Sequence, residues 1–436
     1  MIAFKTIFLI LLTTHLAYGS SEVSFQENGS LNLSKDITSF GEFSLEDEWE
    51  VNKYKATVKG SLKARYFLGP GNVMIALPEL YLSKVRGQTR QDIGRVKLDW
   101  LSQENFWGLG VINGHLGFNF LDSDSEGSVG FQLTKNFKKS SLKFFGSIVH
   151  IPSIYPGHVF NDGEISAGNE WSKLPPSELK FLEGTAPVNY ELITPDFTKL
   201  LLRPSVGFRY QRNFGNADLS LFGMIKPENK LRIGAYGHYD QLNGESAKMR
   251  VRAYSINQTV YGGELNIPIL YTNLKLSAVW TTPDEKYTDD FTPESYENYQ
   301  FETDLNSERH LMASIYFPFD DGEFELNYIS SSRKLLSKAR RRSEGSEDVF
   351  SDELRFVNGI GLLFRRDFTD NFSFFTKWMV DAGRADQLIK SEASYNLQQK
   401  YQFTLGAQFL NVPDDESFWS SYRSNDMIYG RLSFKF

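Results

Sequence analysis

From Tyr54 to Tyr66 the chain alternates without a break, with Tyr54, Ala56, Val58, Gly60, Leu62, Ala64 and Tyr66 set against Lys55, Thr57, Lys59, Ser61, Lys63 and Arg65. A period of two puts one set on each face of an extended strand. The pattern returns as Tyr401, Phe403, Leu405, Ala407 and Phe409 against Gln402, Thr404, Gly406 and Gln408, and as Phe324, Leu326 and Tyr328 against Glu323, Glu325 and Asn327. Less regular versions run through 129–136, 142–151, 219–226, 231–240 and 311–319. No stretch after Ser20 keeps a helical period over three turns, so the pattern predicts an all-β protein.

Alternating strands build either soluble sandwiches or one membrane barrel, and the lengths of the connections separate the two. Counting back from the C-terminus, strands are expected near 427–436, 400–410, 385–396, 371–381, 353–365, 322–330, 309–317, 271–280, 258–267, 247–256, 230–240, 217–225, 202–212, 140–150, 127–137, 91–100, 73–85 and 54–67. With the C-terminus in the periplasm, the long connections 411–426, 331–352, 281–308, 151–201 and 101–126 all fall on the opposite side. Short periplasmic turns and long extracellular loops mark a transmembrane antiparallel up-and-down β-barrel, here of about 18 strands, with 16 as the main alternative. Loop 151–201, with six prolines and Tyr155, Trp171, Phe181 and Tyr190, is expected to pack, either into the lumen or over its mouth.

The N-terminus adds a destination. Lys5, the apolar run Thr6 to Leu12 and the small residues Ala17 and Gly19 have the three parts of a secretory signal peptide, with cleavage expected after Gly19. That divides the chain into a signal peptide at 1–19, a short periplasmic segment at 20–53 and a barrel at 54–436. No apolar run approaches the ~18 residues that a membrane helix needs.

If apolar faces meet lipid, the alternate residues face the lumen, and many of them are basic. The expected pore-lining set is Lys55, Lys59, Lys63, Arg65, Arg95, Lys97, Arg203, Arg209, Arg232, Lys248, Arg250, Arg252 and Lys275, with Asp99, Glu323, Glu325 and Asp381 as acidic exceptions. The whole chain is nonetheless acidic, with 47 Lys and Arg against 54 Asp and Glu. The excess acid therefore belongs to the loops, most densely at 284–308. This balance argues against a nucleic-acid partner. Two readings follow: a cationic pore that draws in anions, or a lumen closed by pairing these cations with acids. A basic block at 333–342 reads as a solvated loop or as a grip on lipopolysaccharide phosphates.

The chain ends with Ile428, Gly430, Leu432, Phe434 and Phe436 on one face of a strand. This resembles the closing strand of bacterial outer-membrane β-barrels. The resemblance implies that Leu432, Phe434 and Phe436 form the signal read by the barrel-assembly machinery, and that the barrel sits in the outer membrane of a Gram-negative bacterium among lipid and lipopolysaccharide. Arg431 stands where many porins carry glycine, with Gly430 one position earlier. Ile93-Gly94-Arg95 followed by Trp107-Gly108 is similar to the early strand and loop of phosphate-selective and alginate-export type porins. No substrate is carried over from these short pairs.

The chemistry of catalysis is sparse. There is no cysteine, and His115, His150, His158, His238 and His310 have no zinc-ligand spacing, so neither a metal nor a cofactor is expected. No Gly-x-Ser-x-Gly elbow or phosphate-cradling loop occurs. Asp289-Asp290, Asp320-Asp321 and Asp414-Asp415 read as turn or loop acids. A channel for passive diffusion of small, anionic solutes is the leading expectation, working alone or as a homotrimer. The alternatives are a barrel that anchors an envelope assembly, or an exit pore for polysaccharide or secreted cargo. An enzyme is not expected.

Overall fold

The computed structural model describes residues 22–29, 39–51, 56–67 and 73–435 apart from 117–119, 122–123, 154–157, 162–163, 168–170, 172–174, 176, 182–183, 241–245, 285–298, 302–303, 338–353, 398–399, 416 and 424. The expected signal peptide, Lys55, Phe436 and most of the basic block lie outside them.

Eighteen strands form one antiparallel sheet. They are β1 (Glu22–Gly29), β2 (Ser39–Val51), β3 (Ala56–Phe67), β4 (Val73–Arg86), β5 (Thr89–Val96), β6 (Ser128–Asn136), β7 (Ser140–Ser147), β8 (Ser205–Asn213) and β9 (Asp218–Pro227). The second half is β10 (Asn257–Ile269), β11 (Thr272–Pro283), β12 (Leu305–Phe319), β13 (Gly322–Ser337), β14 (Asn358–Thr369), β15 (Phe372–Asp381), β16 (Asp386–Leu397), β17 (Tyr401–Asn411) and β18 (Met427–Lys435). Each pairs with the next in the chain, and β1 pairs with β18 from Glu22 opposite Lys435 to Gly29 opposite Ile428. The sheet is thus closed and has no edge.

Burial decides what the two faces meet. On β17, Phe403 and Leu405 are each 54% exposed, whereas Gln408 is fully buried and Thr404 is 2% exposed. The same inversion holds for Leu221 and Ile225 against Ser220 on β9, and for Tyr328 against Asn327 on β13. A soluble sandwich buries its apolar face. From β4 to β17 this sheet turns an apolar face outward and sets polar residues among those on its inner face.

The strand count agrees with expectation, but two assignments change. Segment 20–53, expected as a short periplasmic segment, carries β1 and β2 in the wall. Conversely, Arg232–Asp240 and Ser246–Tyr254, expected as wall strands, form a hairpin in the long connection between β9 and β10. That hairpin belongs to a separate five-stranded sheet with Glu178–Phe181, Gly184–Leu192 and Tyr299–Phe301, and its Ala235, Ala247, Met249 and Val251 pack with Ala186, Val188 and Tyr190. It alternates because it also has one buried face, in a second small core. All turns on the side of the chain ends are short, such as 87–88, 270–271, 320–321 and 370–371, and every long connection lies on the other side.

Candidate functional site: the barrel interior

The main core of the molecule lies inside the barrel. Connection 97–127 leaves β5 and folds inward, and Leu98, Trp100, Leu101, Trp107, Val111, Ile112, Phe120 and Leu121 join one buried cluster. The opposite partners are inward residues of the wall, including Phe145, Phe222, Met224, Val260, Val279, Met312, Ile329, Met379 and Leu388. Loop 151–201 contributes Trp171 to this cluster, so among the described residues both connections reach it and 97–127 supplies more of it. The mouth loops close over it: Trp107 meets Phe356 edge-on with ring centroids 5.0 Å apart, and Phe120 meets Tyr422 at 5.3 Å.

The wall is shaped to receive this segment. At Gly359 a Cβ would lie 2.8 Å from the Trp107 ring, and at Gly361 it would overlap Phe106. Polar contacts then fix the backbone of the segment from one side of the lumen to the other. Lys143 holds Asp99 at 2.8 Å and Arg209 donates to the Asp99 carbonyl at 2.7 Å. Ser102 donates to Glu264 through both its amide, at 2.9 Å, and its hydroxyl, at 2.6 Å. Ser277 donates to Gln103. Lys377 donates to the Phe106 carbonyl at 2.6 Å and sits 4.3 Å from the centre of that ring.

The deepest of these contacts is a polar knot around Glu104 and Lys226, each 2% exposed. Glu104 accepts from the Ile112 amide at 2.6 Å, which folds the segment back on itself, while Lys226 donates to the Ile112 carbonyl at 2.7 Å and to Asn229. Asn229 donates in turn to the Gly110 carbonyl at 2.6 Å. Burial pushes the Glu104 carboxyl up to about 7. It pulls His115 and His150 down to about 3, so both imidazoles are neutral.

The expected lumen cations are distributed unevenly. Lys59, Lys63, Arg65, Arg209 and Lys275 sit at alternate, inward positions of wall strands, but acids accompany several of them. Lys59 pairs with Glu79 at 3.4 Å and Lys63 with Asp124. The register also sets Glu48 opposite Lys59 and Glu42 opposite Arg65 on neighbouring β2. Arg95 bonds Glu126 at 3.2 Å and the Gly127 carbonyl at 2.9 Å, pinning the return of the inserted segment. Gly94 beside it has φ +132°, a conformation that glycine allows, and a Cβ there would meet the β4 backbone. Lys97 and Arg203 lie just outside β5 and β8.

Arg232, Lys248, Arg250 and Arg252 are corrected: they belong to the mouth hairpin and not to the wall. Arg232 forks onto Glu228 at 2.7 and 2.8 Å, and Arg252 donates to the Tyr236 hydroxyl at 3.0 Å. Of the acidic exceptions, Asp99 and Asp381 serve the inserted segment and the mouth loop, Asp381 by accepting from the Val357 amide at 2.7 Å. Glu323 pairs with Arg365 at 3.1 Å, and Glu392 with Lys390 at 3.1 Å. The interior is therefore a field of paired charges of both signs. Towards the short-turn end it is open to water: the side chains of Lys59 and Arg365 are 47% and 55% exposed.

One constellation not visible in sequence comes from cross-strand register. His310 on β12 faces Ser331 on β13, Nδ1 to Oγ 2.9 Å, and its Nε2 lies 3.4 Å from Glu308. The order resembles a Ser–His–acid triad, but Arg333 already holds Glu308 at 2.8 Å, and Ser331 and His310 are 5% and 4% exposed. The group ties two strands together and has no room for a substrate. Among the described residues no cluster of His, Asp and Glu could hold a metal.

A closed, even-numbered antiparallel sheet with an apolar outer face pairs the backbone of its wall without leaving an edge, and so defines a transmembrane β-barrel. No protein-family model matches the chain, and no curated protein matches it. Among solved structures it is similar to OccK5 (OpdH) of Pseudomonas aeruginosa, at 11% identity and TM-score 0.48 over 96% of this chain and 97% of that one. It is also similar to OccK2 (OpdF) of the same organism in complex with glucuronate, at 10% identity and TM-score 0.47 over 96% of each. A third is the outer membrane protein OprD of Pseudomonas aeruginosa, at 10% identity and TM-score 0.44 over 96% of this chain and 92% of that one.

Proposed function

We propose that this chain is an outer-membrane, porin-like channel for passive passage of small solutes, exported by its N-terminal segment and assembled through Leu432, Phe434 and Phe436. The observation that carries the reading is the arrangement of the interior: segment 97–127 occupies the mouth half, while charged side chains towards the short turns remain open to water. An 18-stranded barrel without such an insert leaves a wide aqueous channel. With the insert the passage is narrow, and a solute must exchange water for polar contacts along the wall.

Selectivity for anions in this reading is weak. Lys59, Lys63, Arg65, Arg209 and Lys275 supply the cationic side, but Glu79 and Asp124 answer Lys59 and Lys63, and Glu323 and Glu392 pair with Arg365 and Lys390 inside the same lumen. Small solutes carrying both polar and charged groups suit such a surface better than simple anions do. The test is single-channel conductance of the refolded protein across a planar bilayer under a salt gradient. Small, stable steps with a reversal potential near zero are expected. A barrel that inserts and stays electrically silent would overturn the channel reading and favour an anchoring role.

A further inference from the structure

On the long-loop side, the connection between β7 and β8 ends in a short helix, Phe197–Leu201. Asp196 starts it by accepting from the Thr198 amide at 2.9 Å. The His150 amide donates to the Leu201 carbonyl at 2.7 Å and fixes the helix to the end of β7. Leu200 alone of its apolar residues turns inward, at 7% exposure. Phe197 and Leu202 are each 60% exposed, Leu201 is 36% exposed, and neighbouring Ile148 is 78% exposed.

This apolar group does not stand alone. Ile148 continues the outward parity of Phe144 on β7, and Leu202 leads into outward Val206 and Phe208 on β8. The patch is thus the upward continuation of the lipid-facing band, at the level where strands give way to loops. Two basic residues occur on the same short element. Arg203 donates to the Lys199 carbonyl at 2.8 Å, and its other arm reaches Asn257 at 3.5 Å, which holds the guanidinium at the rim beside exposed Lys199. Apolar residues facing acyl chains with cations at headgroup level are the arrangement of an interfacial helix.

We infer that Phe197–Arg203, with Ile148, is a seat for a phosphorylated glycolipid of the outer leaflet, its acyl chains on Phe197, Leu201, Leu202 and Ile148 and its phosphate on Lys199 and Arg203. The inference rests on the membrane reading above. The lack of cysteine gives a clean test, because a single nitroxide can be placed at Leu202→Cys and, as a mid-wall control, at Phe208→Cys.

In vesicles of phosphatidylcholine with lipopolysaccharide, both labels should collide with oxygen more than with a water-soluble nickel chelate. Oxygen access at 208 with nickel access at 202 would overturn the seat and leave the barrel standing. Nickel access at both positions would overturn the barrel reading itself. Lipopolysaccharide retained per chain, measured after dilution into phosphatidylcholine, should fall about fivefold for Lys199→Gln and again for Arg203→Gln, as expected for basic residues at an anionic membrane surface. Unchanged retention in the double variant would overturn the phosphate assignment.

Discussion

The wall and the inserted segment 97–127 draw on the same residue types and turn them in opposite directions. On the outer face of the wall, Phe, Leu and Ile look away from the chain, as at Ile225 with 55% exposure. In the segment, Trp100 and Ile112 are completely buried by the chain itself. The wall is held by an unbroken ring of backbone pairing, and the segment by side-chain packing and a few polar ties. It follows that the segment can be loosened while the barrel stays closed, and that the width of the passage depends on the weaker of the two structures.

The strongest challenge to this comparison is Trp107→Ala. It empties the niche beneath Gly359 and Phe356 and should cost the docked segment ~3–5 kcal/mol. Conductance is expected to rise severalfold while the folded barrel keeps its gel mobility without heating. A variant that loses the folded band would show that wall and segment are one unit.

A smaller effect is expected from pH. Between about pH 4.5 and 6.5 the docked segment carries one proton, on Glu104, and a displaced segment also carries one, on His115. The raised carboxyl pKa favours docking in acid and loses that contribution as pH rises to about 7. The lowered His115 value works the other way, favouring docking above about 6.5 and losing it as pH falls. The two cancel in this window, so the displaced-to-docked ratio should be nearly flat in the unaltered chain. Glu104→Gln removes the opposing proton and should make the ratio rise about tenfold per pH unit of acidification, read from open-channel noise between pH 4.5 and 6.5. A flat profile in Glu104→Gln would separate these groups from docking.

The mildest effect distinguishes wall from mouth. Lys59→Glu changes a water-exposed lumen position and should move the reversal potential towards cation preference. Arg250→Glu changes the hairpin and should move it little. Equal shifts would mean that the hairpin borders the path.

Much of this was legible in the chain, though the agreement in strand number hides two exchanges. Period two reports a strand with one buried face but not the sheet it joins, so Ile233, Ala235, Met249 and Val251 in the mouth hairpin look the same as a wall strand. β2 is hard to see in the sequence because Asp47 interrupts the apolar series Phe43, Leu45, Trp49 and Val51, although Glu42 and Glu48 stand in register with Arg65 and Lys59 of the basic strand β3. β3 is one-signed only when taken apart from that neighbour. Lys226 and Asn229 carry no local signal, because they bond backbone atoms of Ile112 and Gly110, far away in the chain, and Glu104 bonds the Ile112 amide through a fold-back that no motif marks. The apolar run Phe106 to Ile112 on the mouth side, lacking any period, was the one available hint of an inserted loop.

The pairing of β1 with β18 has a consequence for biogenesis. The last strand made is the one that the first is waiting for, so no cooperative intermediate formed during synthesis can possess the finished ring. Until both ends have arrived, a growing sheet exposes two adhesive borders, and bringing them together carries the largest loop-closure entropy in the molecule. Timing is therefore built into the topology: the chain must be kept apart from its own copies until the seam forms, and the seam forms last.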